Sequence, residues 1–505
     1  MQISVHGFEM FLIITKFLKG PQMRFSLFIS SRVAGSVFLQ ALLLFFAFTN
    51  RSLAQEEQAP QTPQPKKEAA KIATEQSEND APELKKKAEP KELAVRLIDL
   101  SVQGKFDEAT EHFDFVMSQL LPPVAMKQTW AGITAQYGNY VEHGEPVVED
   151  IAESTLVRIP CKFERGSLEA RVSFNSKNKI QGFFLTALGT YHSPSYVDTN
   201  KFEAEEVEVG GGLMKLPGTL TIPKGEGKFP GVVLVQGSGP SDRDETVGPN
   251  KPFRDIAEGL SSQGVAVVRY EKRTKQFPLM AVLSLSSFTV HEETVHDAAE
   301  AVALLKKHPR IDPDQIYVVG HSLGGWMLPR IYEASQPVKG LVSLAGSARP
   351  LEDLILEQVH YLAETDGNVT DEEKEQLEKV REQVQQVKAE DLSKKTLSSK
   401  LPLSIAPAYW LDLRGYDAPK LARNIPARWL MLQGERDYQV IDKDLSAWEA
   451  GLKGHADVTI KRYPKLNHLF MAGEGPCRPA EYFKEANVDE AVIRDIAQWI
   501  QTPKP

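Results

Sequence analysis

From residue 201 onward, short unbroken apolar runs alternate with stretches of helical spacing. Gly231–Val235 (GVVLV) and Val265–Tyr270 (VAVVRY) are continuous apolar runs of the kind needed by a strand buried on both faces. Ile316–Val319, Leu341–Ala345, Trp429–Leu432 and Val458–Tyr463 predict four more strands, and Val207–Val209 and Leu220–Ile222 two short ones. Ile256 to Leu260, Ala298 to Leu305 and Trp326 to Tyr332 read as helices between them, and Val488 to Ile500 as a closing amphipathic helix. Alternating strands and helices predict an α/β fold with a mostly parallel sheet, helices on both faces, and sites at the strands' C-terminal ends.

The pattern before residue 190 is different. In residues 91–187, Leu93, Leu97 and Leu100 have helical spacing, Gly104 interrupts, and Phe106 to Phe115 resumes it. The period then becomes two: Val157, Ile159, Cys161 and Phe163 alternate with polar or small residues, as do Leu168, Ala170, Val172 and Phe174, and Ile180 to Leu185 adds a third strand. Helices followed by half-buried antiparallel strands predict a small α+β domain. Cys161 falls on the apolar side, where a thiol is expected to be buried and inert.

Residues 55–90 contain no aromatic residue and only Ile72 and Leu84 as large aliphatics. Such a segment cannot bury enough apolar area to offset its ordering entropy, and is expected to be a disordered linker. Residues 1–54 read as targeting. The apolar run 33–48 follows Arg24 and Arg32, and Ser52-Leu53-Ala54 offers a small-x-small cleavage site, which together describe a signal peptide whose true start could be Met23. The run is shorter than the ~20 apolar residues of a spanning helix, so cleavage, rather than a stable membrane anchor, is expected. The mature chain would then be exported, periplasmic or extracellular, where Cys161 and Cys477 could in principle pair.

Composition narrows the function classes. The chain has 505 residues, 42% hydrophobic and 25% charged, with a formal net charge of −9. That is ordinary globular composition, and its acidic balance argues against nucleic acid as a partner. Two cysteines in 505 residues exclude a disulfide scaffold and a cysteine-based zinc site.

The chemistry is concentrated in Gly320-His321-Ser322-Leu323-Gly324, a G-x-S-x-G sequence after one predicted strand and before a helical run. That context is what a nucleophile elbow requires: two glycines where a Cβ would clash, and a serine pushed above the sheet toward a helix N-terminus. A serine hydroxyl needs a base, and in this arrangement the acid and then the histidine follow it in sequence. His468, in the Asn467-His468-Leu469 loop beyond the Val458–Tyr463 run, is the expected base. Asp437, in the turn after Trp429–Leu432, is the expected acid that holds the imidazole tautomer; Glu435 and Asp442 are alternatives. An oxyanion hole needs two backbone N–H groups. Leu323, next after the serine, should supply one. The loop after Gly231–Val235, Gln236-Gly237-Ser238-Gly239, should supply the other, from Ser238 first and Gly237 second. Asp242, Arg243 and Asp244 are expected to tie this loop by ion pairs.

With QGSGPSDRD, RYEKR, VVGHSLGG, QGERDYQV and LNHLF in place, residues from about 201 to 502 resemble an α/β-hydrolase of the exported bacterial esterase type, similar to dienelactone-hydrolase-like and serine-aminopeptidase-like members. The resemblance implies ester hydrolysis through an acyl-enzyme on a small-molecule ester, with neither metal nor cofactor. The chain departs from dienelactone hydrolases proper in carrying serine, not cysteine, at 322, and Thr274-Lys275 where related chains often have a glycine- or tyrosine-rich turn. The segment around Leu100-Ser101-Val102-Gln103-Gly104-Lys105-Phe106-Asp107, Trp130 and Tyr137-Gly138 resembles an uncharacterised small domain of cystatin-like cone fold found ahead of exported hydrolases. The expected domains are thus 1–54, 55–90, 91–187 and a hydrolase domain 188–505.

Residues 349–418 interrupt the sheet order. Thr370-Asp371-Glu372-Glu373 is a capping box, and Leu377, Val380, Val384 and Val387 form a narrow apolar stripe behind it. In such a fold the insertion is expected to be a helical lid, with Tyr409 and Trp410 walling a substrate pocket; the bland alternative is a helical pair that only packs. A serine esterase is the leading function, a peptidase or amidase of the same fold the alternative, and a catalytically silent binding protein the second alternative.

Overall fold

The computed structural model describes residues 3–5, 8–10, 89–151, 154–164, 166–187, 191–212, 214–277, 287–335, 337–365 and 367–502. The predicted linker and nearly all of the predicted signal peptide, including its apolar run and cleavage site, lie outside the described residues. Ile3–Val5 and Phe8–Met10 pair as a short antiparallel ribbon.

The small domain opens with α1 (Pro90–Val102), closed at its N-terminus by a Glu89–Glu92 capping box, and continues to α2 (Pro123–Tyr137). Its strands are β1 (Tyr140–His143), β2 (Val147–Ile151), β3 (Ser154–Phe163), β4 (Gly166–Phe174) and β5 (Ile180–Ala187), all antiparallel, with β1 and β2 both pairing with β3. Cys161 stands opposite Leu168, on the face that Leu97, Met126 and Trp130 cover. The period-2 pattern named β3, β4 and β5 correctly. It missed β1 and β2, whose Val141, Val147 and Val148 are exposed and leave no clean alternation. The expected helix over 106–115 stops at Ala109. Phe113 instead bridges to Ile180, and Asp114 caps a separate helix, Phe115–Leu120, by accepting from the Met117 N–H.

The large domain is an eight-stranded mixed sheet. Its strands are β6 (Phe202–Val209), β7 (Leu216–Pro223), β8 (Phe229–Val235), β9 (Ala266–Tyr270), β10 (Ile311–His321), β11 (Gly340–Leu344), β12 (Arg428–Gly434) and β13 (Val458–Tyr463). Their spatial order is β13-β12-β11-β10-β8-β9-β7-β6; the six from β13 to β9 are parallel, and β7 and β6 run antiparallel at one edge. The uniformly apolar strands follow from this layering. Val233, Val235, Val268, Val318, Leu341 and Met431 face one core, while their neighbours Val232, Leu234, Val267, Val319, Val342 and Leu430 face the other.

Helices cover both faces. α3 (Pro252–Ser261) begins with proline at a position that needs no N–H, and α4 (His296–Lys307) follows a short π-helix, His291–Val295. Past β10 the expected helical run is split at Met327 into α5 (Leu323–Trp326) and α6 (Leu328–Ser335). α7 (Leu351–Glu364), α8 (Asp371–Lys388) and α9 (Pro407–Leu413) form the insertion, α10 (Asp442–Gly451) follows β12, and α11 (Glu490–Gln501) closes the chain. The capping box is present: Thr370 accepts from the Glu373 N–H, and Glu373 accepts from the Thr370 N–H. Among the described residues no helix is long and apolar enough to cross a membrane. Cys161 and Cys477 are both free and buried, with burial pushing their thiols up to about 11 and about 12, so neither is a thiolate near neutral pH.

Candidate functional site

Strand β10 ends at His321, and the chain turns sharply into α5. Ser322, at the turn, has φ 52° and ψ −113°, a conformation that costs a non-glycine residue of order 1–3 kcal/mol and persists only where its surroundings enforce it. The enforcement is steric. A Cβ on Gly320 would lie 2.3 Å from the Gly324 oxygen, and one on Gly324 would lie 2.4 Å from the Val235 oxygen, so both glycines of the motif are required for the turn to close. The Ser322 N–H donates to the Leu344 carbonyl at 2.9 Å, tying the turn to β11.

His468 and Asp437 come together beyond the ends of β13 and β12. His468 Nδ1 is 2.6 Å from Asp437 Oδ2, and both side chains are buried. The aspartate has no freedom to rotate: its Oδ1 accepts from the Gln439 and Val440 N–H groups at 2.7 and 3.0 Å, and Gln433 reaches its Oδ2. The imidazole loop is set by Asn467, whose Oδ1 accepts from the Leu469 and Met471 N–H groups and whose amide donates to Glu481. Glu435 is exposed, and Asp442 is exposed and paired with Arg462, so neither alternative acid faces His468.

The residue inside the elbow links serine and histidine. His321 is buried, its ring 4.6 Å from that of His468, and its Nε2 donates to the His468 carbonyl at 3.0 Å. Its Nδ1 faces Glu245 at 3.0 Å. Burial alone would lower the His321 pKa, but the Glu245 carboxylate and the His468 carbonyl outweigh it and the net shift is upward. Glu245 also accepts from the Gly237 N–H at 2.6 Å.

That last contact corrects one expectation. Gly237 approaches Ser322 closely, since an added Cβ would sit 3.2 Å from Ser322 Cβ, but its N–H is committed to Glu245 and is not available to an oxyanion. Among the described residues no acceptor faces the Ser238 N–H. The Leu323 N–H, at the first position of α5, has no intrahelical acceptor by construction. The rest of the 236–245 loop is tied as the charges suggested. Asp244 receives Arg269 and Lys251, both at 2.8 Å, Arg243 reaches Glu271 and Glu206, and Asp242 accepts from the Thr246 N–H. Burial would raise the Asp244 pKa, but Arg269 and Lys251 hold it below the ordinary carboxylate value.

Tyr409 and Trp410 do not form a pocket wall. They are 5% and 1% exposed and point to two different cores from α9: Tyr409 joins the core under the sheet and Trp410 the core of the insertion, with Val380, Val384 and Leu401. Two adjacent helical residues cannot face the same way, and here both faces are buried. The insertion itself rests on the site's loops. Tyr361 of α7 stacks on Tyr438, next to Asp437, with centroids 4.9 Å apart, and Gln358 donates to the Gln439 carbonyl at 3.0 Å.

Sequence reasoning missed Glu245, Lys272 and Glu293. Lys272 was in plain view within RYEKR, but its partner Glu293 lies 21 residues away and only folding joins them. Among the described residues no cluster of three or more His, Cys, Asp or Glu side chains is arranged to hold a metal ion.

Comparison with known proteins gives two family matches. A model described as the alpha/beta hydrolase family covers residues 236–485, and one described as a protein of unknown function (DUF3887) covers residues 94–183. A curated relative, Esterase EstD of Thermotoga maritima, is 39% identical over 381 residues, which is 74% of this chain and 87% of the relative. Among solved structures, Est1E from Butyrivibrio proteoclasticus matches with a TM-score of 0.37 and 15% identity, covering 58% of this chain and 97% of that one. A hyperthermophilic esterase from the archaeon Pyrobaculum calidifontis matches with a TM-score of 0.37 and 16% identity, covering 59% and 85%.

Proposed function

The chain belongs to the α/β-hydrolase family, and from that premise we propose that it is a carboxylic ester hydrolase working through Ser322, His468 and Asp437. The observation that carries the assignment of residues is the buried 2.6 Å pair between His468 and Asp437, with His468 packed against His321, the residue before a serine held in a strained turn. A carboxylate on Nδ1 fixes the tautomer that leaves Nε2 as a base, and stabilises the imidazolium formed when it takes the serine proton. Ser322 Oγ then attacks the ester carbonyl, and the oxygen that becomes negative is received by the Leu323 and Ser238 N–H groups. Collapse expels the alcohol, protonated by His468, and leaves an acyl-enzyme. Water, activated by the same imidazole, releases the acid.

The test is a matched panel of nitrophenyl esters and aminoacyl nitroanilides with wild type and Ser322→Ala. Wild type should turn over the esters and be labelled by a fluorophosphonate. Ser322→Ala should lose about 10⁶-fold in kcat and all labelling, with an unchanged circular dichroism spectrum. Turnover of the nitroanilides over the esters would replace the esterase reading by an amidase one. Persistent labelling of the variant would move the nucleophile elsewhere.

We read residues 1–54 as an export signal, because a charged segment, an apolar run and a small-x-small site succeed one another there. A mature N-terminus at Gln55 in N-terminal sequencing supports this, and an intact Met1 or Met23 in the cell-associated protein refutes it.

A further inference from the structure

Behind the Gly237-Ser238-Gly239 loop lies a buried charged chain that the hydrolytic mechanism does not use directly. Lys272, just past the end of β9, is 2% exposed. Its Nζ donates to the Gly237 carbonyl at 2.5 Å and to Glu293 Oε1 at 2.7 Å. Glu293 sits in the π-helix before α4, and its Oε2 accepts from the Tyr409 hydroxyl at 2.7 Å.

The peptide that Lys272 grips joins Gly237 to Ser238. No peptide bond among the described residues is cis, so the Gly237 C=O and the Ser238 N–H point in opposite directions within one plane. Fixing the carbonyl toward Lys272 therefore fixes the N–H away from it, in a loop that approaches Ser322 at Gly237. Nothing local does this. Ser238 is exposed and stands between two glycines, Gly239 with φ +90°, so the intrinsic cost of turning the 237–238 peptide over is small. The preceding peptide is held separately, by the Glu245 carboxylate on the Gly237 N–H. A cation on the carbonyl also polarises the peptide and strengthens the N–H as a donor, as in any chain of hydrogen bonds at low dielectric.

We propose that Lys272, braced by Glu293 and Tyr409, is the positioning residue for the oxyanion donor at Ser238. It holds the 237–238 peptide in the one orientation that serves the transition state. The inference rests on the esterase reading above. It also gives Tyr409 a role: the segment returning from the insertion anchors the carboxylate that anchors the lysine.

Lys272→Met alone would strand a buried carboxylate and could unfold the domain, so the deciding variant is Lys272→Met/Glu293→Gln, which removes both charges and leaves Tyr409 an acceptor. It is compared with wild type on 4-nitrophenyl acetate and for inhibition by a trifluoromethyl ketone, whose serine adduct carries an oxyanion. Loss of the donor's orientation should lower kcat about 10²-fold with KM within about threefold, and weaken ketone inhibition in proportion. Tyr409→Phe should show the same pattern at a smaller scale, roughly threefold in kcat. A folded double variant with kcat and ketone inhibition within about threefold of wild type would overturn the inference alone, as would an unfolded one beside a Tyr409→Phe whose kcat is unchanged. A wild type without ester turnover would overturn the esterase reading, and this inference with it.

Discussion

At the scale of single residues, the most informative side chain is Asp437, because it serves two masters. Oδ1 closes the turn at Gln439 and Val440, and Oδ2 faces His468. In Asp437→Asn the amide oxygen can keep the turn while the NH₂ meets Nδ1 as a donor, which enforces the wrong tautomer. The melting temperature should stay within a few degrees, while kcat falls by about 10⁴-fold. A loss below tenfold, measured on any ester that wild type turns over, would remove Asp437 from the mechanism. The proposed nucleophile, acid and base were all legible as residue types in a fixed order. The partners that hold them, Glu245, Asn467 and Lys272, were not, because a buried charge or amide announces itself only when its partner is beside it.

Among the elements, α9 matters more than its seven residues suggest. Tyr409 and Trp410 bind the sheet's core and the insertion's core from adjoining faces of one helix turn. Trp410→Ala should cost roughly 3–5 kcal/mol by opening a cavity in the insertion's core. Activity on acetate and octanoate esters should fall by the same factor, since the ring is buried in the insertion's core. Unequal losses across chain lengths would restore a pocket role. A second element-level test concerns α3 and the start of α11. Asp255 is buried at their junction, accepting from the Val488 N–H and the Tyr191 hydroxyl. Burial pushes its pKa up to about 6, and Glu258 adds to the rise, while those hydrogen bonds oppose it. The folded state therefore holds this proton more tightly than the unfolded chain does, so stability from this site is greatest at low pH and is lost as pH rises through about 6. Asp255→Asn removes that loss. The melting temperature of the variant relative to wild type should be higher at pH 8 than at pH 4; an equal difference at both would show that Asp255 does not titrate this way.

For the whole molecule, the small domain's core, from Leu93 and Leu97 to Phe174 and Ile180, is built from its own residues, and every residue proposed for the chemistry lies after 236. A fragment beginning at residue 191 should therefore fold and keep ester turnover within about tenfold of the full chain. Each part has enough chain for a hydrophobic core of its own. A fragment with native circular dichroism and no turnover on the same esters would show that the small domain completes the site.

The sequence alone determined the parallel sheet and the elbow, because both are local statements. A run such as GVVLV has no polar residue to turn toward water, and G-x-S-x-G between a strand and a helix leaves room for only one backbone path. It also pointed to the proposed order serine, aspartate, histidine, since each follows a strand whose C-terminal end lies at the same edge. What only the tertiary structure decided are matters of direction. Gly237 was a candidate donor until Glu245 closed on its N–H, and Tyr409 and Trp410 were candidate pocket residues until α9 was buried on both sides. Residue type and spacing specify which groups can act. Which way a peptide plane or a ring points depends on neighbours tens of residues away, such as Glu293 for Lys272, and those are brought into contact only by the packed core.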